Sequence, residues 1–229
     1  MPSERDTLLA AVRARAESVL RAAPDGKRRW AHSERVYGLG RRLARHEGAD
    51  RFIVGAAALL HAWPDESVES AQKQVAAELA TLGVPEALAA PILAAIAALD
   101  GAALATADRE AAILWDADRL DALGAIGIAE LLLDSSAAET ALYERDDPFA
   151  LLRPFAPDSS QLDRLFEHLS TIPQQVHSAA ARQIAIRRSG IMLFYLESLR
   201  DELAETIPDA LLPEQDWLVP REGLPRESH

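Results

Sequence analysis

The chain has 229 residues, 49% hydrophobic and 5% aromatic, with no cysteine and a formal net charge of −12. Ala and Leu dominate the apolar set, which favours closely packed helices over a β-rich core, and the missing cysteines exclude disulfides and thiolate metal sites. The acidic balance argues against binding to nucleic acid or to a membrane, and no apolar run reaches the roughly 18 residues of a membrane span.

The N-terminal MPSERDTLLA carries charges where a signal peptide needs an apolar core, so the expected location is cytoplasmic. Residues 5–22 place Leu8, Leu9, Val12 and Val19 at helical spacing and stop before Pro24-Asp25-Gly26. A second helix is expected from about Arg28 to Glu47, with Val36, Leu39 and Leu43 facing inward and Gly48 stopping it. Asp50–His61 is apolar almost throughout and reads as the central buried helix, closed by Pro64. A fourth helix spans about Ser67–Leu82. Pro85 suits the first position of a fifth that runs to about Leu99, with a kink or a later start at Pro91.

One long helix is expected from near Asp108 to about Leu133. The proline-bearing segment Asp146–Ser160 reads as a loop able to cover a pocket, followed by helices over about Ser160–Ser170 and Gln174–Thr206. There is no repeat, no glycine-rich phosphate loop and no hairpin signal. The expected fold is all-α: a single-domain helical bundle over residues 1–205 and a Pro-rich tail over 206–229.

Chemistry concentrates in WDADRLDALGAIGIAE, Trp115–Glu130, which sets Asp116, Asp118 and Asp121 among Leu120, Leu123, Ile126 and Ile128. Carboxylates are costly to desolvate, so three in an apolar helix point to a site, although Asp near a helix start also has an ordinary electrostatic role. His32 lies near a helix start, with Arg35 on the same face one turn along. His61 closes the apolar third helix, where a backbone carbonyl could satisfy it. His46, His168, His177 and His229 read as surface residues. Lys27, Arg28, Arg29, Arg35, Arg41, Arg42, Arg45 and Arg51 crowd one region, as a phosphate attractor or as a solvated helix face.

HSERV at His32–Val36, AALLHAW ending at Trp63 and DADRLDA at Asp116–Ala122 together resemble the motifs of HD-domain metal-dependent phosphohydrolases, in particular small bacterial nucleotide-hydrolysing members. The likeness is good over roughly residues 28–135 and looser over Ser159–Glu202. It implies a metal site from His32, His61 and Asp118, with Asp116 as near neighbour, and a phosphate-holding Arg35. The cation would be divalent Mn, Mg, Fe, Zn or Ni. The chain departs from the pattern at Ala62, where the family has the Asp of its His-Asp doublet. That loss leaves two outcomes open. One is an enzyme that hydrolyses a phosphate ester or anhydride of a nucleotide-like substrate. The other is an impaired relative, with or without metal, that binds a phosphorylated ligand or protein partner.

Asp65 and Glu66 follow closely, and some relatives that cleave alarmone nucleotides use an acidic pair at about this offset catalytically, so both are candidate catalytic residues. Before the last motif, AALDGAALATAD offers Asp100 but no His, which limits the expectation to one metal. The expected partner is a phosphorylated small molecule, with a homodimer allowed by apolar residues on the C-terminal helices.

Overall fold

The computed structural model describes residues 3–65, 67–101, 108–138 and 140–213. Among them the regular structure is entirely helical: α1 (Glu4–Ala22), α2 (Gly26–Glu47), α3 (Arg51–Leu60), α4 (Val68–Thr81), α5 (Glu86–Ala97), α6 (Arg109–Asp121), α7 (Gly124–Ala138), α8 (Gln161–Gln175) and α9 (Ala179–Ala204). Short 3₁₀ turns follow at Ala98–Asp100 and Asp209–Leu211. None of the described helices is long and apolar enough to cross a membrane.

The contacts divide into two compact units. The first takes residues up to Asp118 together with His177–Ala181, and the second takes Arg119–Val176 and the chain from Arg182 on.

In the first unit α3 is the axis. Val54, Ala56, Ala57, Ala58 and Leu59 are fully buried, and α1, α2 and α5 all pack on it. Its start is set by Asp50, whose carboxylate accepts the Phe52 and Ile53 N–H groups, as an N-cap should. Small residues let α2 approach closely. A Cβ on Gly40 would stand 3.0 Å from Val54 Cγ1, and one on Gly55 would stand 3.2 Å from both Arg41 and Tyr37 side-chain atoms. That closeness matters for function, because α2 carries His32 and α3 ends at His61.

α1 begins with a capping box, Ser3 and Asp6, and buries Leu9, Val12, Ala16 and Leu20. α5 starts at Glu86, after Pro85, and runs on through Pro91 rather than beginning there.

In the second unit α7 packs on α8. Here the expected single helix over 108–133 is two. α6 ends at Asp121, and Gly124 opens α7 at φ +80°, a left-handed conformation that breaks the helical path. The loop before α8 is tied internally. The Asp147 carboxylate accepts the N–H groups of Leu151, Leu152 and Arg153, and the Arg153 guanidinium grips the fully buried Asp163 through bonds of 2.5 and 2.7 Å. α8 runs five residues beyond the expected Ser170, through Pro173, to Gln175. His168, expected at the surface, is only partly exposed, and burial pushes its imidazole below the usual range.

Candidate metal centre

Three separate helices bring one donor each to a single point. His32 comes from the first third of α2, His61 from the C-cap of α3, and Asp118 from the last turn of α6. His32 Nε2 lies 2.9 Å from His61 Nε2 and 3.3 Å from Asp118 Oδ1, and His61 Nε2 lies 3.5 Å from the same oxygen. Two ligand atoms about 2.1 Å from a shared ion, at octahedral to tetrahedral angles, are themselves about 3.0–3.4 Å apart. The three edges of this triangle, 2.9, 3.3 and 3.5 Å, lie in that range or within about 0.1 Å of it. It is also the one group of three such side chains that could hold a metal ion among the described residues.

The tautomer of His61 follows from its other nitrogen. Nδ1 lies 2.8 Å from the Ala58 carbonyl oxygen, which can only accept, so Nδ1–H donates. In the neutral ring the Nε2 lone pair then faces His32 and Asp118, the arrangement by which an outer hydrogen bond orients a metal-ligating imidazole. The carbonyl bond foreseen as an alternative to metal ligation is therefore compatible with it.

The side chain of Asp118 is 23% exposed. Burial by itself would raise its carboxyl, but the hydrogen bonds and charge of His32 and His61 outweigh burial and hold it well below the usual carboxylate range. A carboxylate kept ionised beside two imidazoles is the donor set that suits a divalent first-row cation.

Asp116 is placed elsewhere. It is fully buried, and its oxygens accept the backbone N–H groups of His177 at 2.7 Å and Ser178 at 2.8 Å. Two residues before Asp118 on the same helix, it points away from the cluster by the helical rotation and caps the start of α9 instead. Arg35 is half-buried on α2, one turn beyond His32. Asp65 is held by Gln74, whose amide donates to the Asp65 carboxylate at 2.5 Å while its carbonyl accepts the Trp63 indole N–H at 3.1 Å. Glu66 lies outside the described residues. The Ala62 carbonyl accepts from Arg29, which is itself paired with Asp25. The Gln74 clasp and the Arg29 tie were not legible in the sequence, because nothing in their local patterns signals them.

The basic stretch mostly has helix-surface duties. Arg41 donates to the Tyr37 hydroxyl at 2.6 Å and lies over its ring, while Arg42 and Arg45 are exposed.

No family model matches the chain. Known structures do. An HD-superfamily hydrolase from Bacillus thuringiensis is 30% identical and superposes with a TM-score of 0.72, covering 87% of this chain and 98% of that one. This protein belongs to the HD superfamily of hydrolases.

Two further relatives share the fold. The uncharacterized protein YpgQ of Bacillus subtilis is 28% identical over 183 residues, 76% of this chain and 83% of that protein. Its crystal structure in complex with ADP has a TM-score of 0.71, covering 90% of this chain and 97% of that one. The Lin1889 protein from Listeria innocua, at 25% identity, also reaches 0.71 and is covered completely. All-helical architecture and membership of the HD superfamily therefore stand as expected from the motifs. In this superfamily member the residues at the doublet position are His61 and Ala62.

Proposed function

We propose that this protein is a metal-dependent phosphohydrolase acting on a nucleotide or a similar phosphate compound. The observation that carries the reading is the convergence of His32, His61 and Asp118 within ligand-sharing distance, despite Ala62. Those three side chains are assigned as the ligands of one divalent cation. A cation held there would supply Lewis acidity toward a phosphoryl oxygen and make water a better nucleophile.

The protein's own groups do the rest. The Ala58 carbonyl orients the His61 ring so that Nε2 faces the other two donors. Asp118 stays ionised across the physiological range. Arg35, on the His32 face of α2, is assigned to balance charge on the phosphoryl oxygens. Asp65, held by the Gln74 amide, stands four residues beyond His61. The nucleotide preference draws support from YpgQ, whose structure is known with ADP. The preserved donor triangle favours this reading over that of an impaired ligand-binding relative.

Elemental analysis of the purified, untagged protein tests it, followed by phosphate release from a nucleotide panel with Mn, Mg, Fe, Zn or Ni supplied. Metal near one equivalent, lost in His61→Ala and Asp118→Ala together with turnover, is the expected result. A protein that holds no metal under any supply and releases no phosphate would overturn it.

A further inference from the structure

A cavity of about 280 Å³ opens beside the donor triangle, between the end of α3, α4 and the end of α5. It shares one wall with the metal centre, because His61 lines both. Ligand pockets usually begin near 300 Å³. This one therefore suits a single ring-sized moiety rather than a whole nucleotide.

Its lining is mostly apolar, with Leu60, Val68, Ala71, Val75, Ile96 and Leu99 as the principal surfaces. The charged groups among its described lining residues are two carboxylates, Asp65 and Asp100, with neither Lys nor Arg. Such a surface welcomes a flat apolar ring, accepts hydrogen bonds from ring N–H or amino groups, and repels phosphate.

We propose that this cavity is the base-binding subsite of the enzyme. It takes the heteroaromatic base of the nucleotide ring-first, with Asp65 and Asp100 accepting its N–H donors, and keeps the phosphates on the His32–Asp118 side of His61. The inference rests on the phosphohydrolase reading and adds to it a direction for the substrate and the residues that select it. Preference for bases rich in N–H donors follows, since both charged groups of the lining accept hydrogen bonds and neither donates them.

Ala71 lies on α4 at the cavity wall and is partly exposed, so Ala71→Phe fills the space without burdening the core. Asp100→Asn removes one charge at constant size. Three quantities are read for the metal-supplied wild type and both variants: metal content, Kd for inorganic phosphate, and Kd for guanosine and for GDP.

Ala71→Phe is expected to weaken guanosine and GDP by at least about tenfold, and Asp100→Asn by about tenfold, the scale of one charge-assisted hydrogen bond. Metal content and phosphate Kd should stay within about twofold of wild type, because neither side chain belongs to the donor triangle. Unchanged GDP and guanosine binding in Ala71→Phe would overturn the proposal. So would parallel loss of metal and phosphate, which would make the cavity a mere support for His61. Guanosine carries no phosphate and needs no metal. Its binding to the wild type, lost in Ala71→Phe, would uphold the subsite even if the metal centre failed, and its failure to bind the wild type would sink the subsite alone.

Discussion

His61 joins two functions in one ring: Nδ1–H closes the end of α3 onto Ala58, and Nε2 turns toward His32 and Asp118. Ala62, the next residue, presents a methyl group where the motif resemblance implies a carboxylate. Restoring it by Ala62→Asp is expected to tighten metal binding by at least about tenfold, read by competition with a chromogenic chelator, since an added anionic oxygen donor strengthens a site for hard cations. Asp118→Ala should abolish metal binding while Tm falls little, because the side chain is partly exposed and serves the site rather than the core. Asp163 is the opposite case. It is fully buried and gripped by Arg153, so Asp163→Ala strands a guanidinium and is expected to cost about 3 kcal/mol in denaturant unfolding. Motif wording made His32, His61 and Asp118 legible in advance. It ranked Asp118 ahead of its neighbour Asp116 but could not foresee that Asp116 is committed to the His177 and Ser178 amides, partners some sixty positions away.

At the scale of the element, several helices start where a capping residue stands. Asp50, Ser67 and Ser160 cap α3, α4 and α8 through their side chains, and each belongs to a residue type that prefers that role. α9 was expected from about Gln174 but begins at Ala179, just after His177 and Ser178, whose N–H groups are held by Asp116 about sixty positions earlier in the chain. Asp116→Asn keeps the size but removes the charge that faces those amides. It is expected to destabilise the fold by about 1–2 kcal/mol, read by thermal unfolding, without loss of bound metal. The break between α6 and α7 is likewise a single-residue event. Gly124→Ala forces a Cβ into φ +80° and to 3.2 Å from the Arg188 side chain, so a loss of about 1–2 kcal/mol is expected.

For the whole molecule, the acid side of the stability profile follows from shifted carboxyls and one histidine. In Asp50, burial opposes ionisation, but Arg5 and the Phe52 and Ile53 amides prevail and lower the carboxyl. Arg15 lowers Glu78 in the same sense. A carboxyl lowered on folding lends stability above its unfolded value near 3.8 or 4.5, and this stability is lost as pH falls toward the folded value. Burial lowers His168 from 6.5, so the unfolded chain binds more protons below that pH and stability already declines there. Unfolding free energy should therefore fall in two stages on acidification, first below about pH 6.5 and then below about pH 4.5. His168→Gln is expected to flatten the first stage in pH-dependent urea unfolding and leave the second.

Composition and periodicity by themselves determined that this chain is helical, that its third helix is buried and roughly where most helices begin and end, because a helix's pattern is written within a few residues. The motif words determined the family and the three candidate ligands. The tertiary structure alone decided that those ligands meet, that Asp116 caps α9, that Gln74 steadies Asp65 and that a cavity with two carboxylates adjoins His61. These depend on close approach between segments that the chain keeps apart, which Gly40 and Gly55 permit at the α2–α3 contact, or, for Gln74, on how a turn returns the chain, and no local pattern records either.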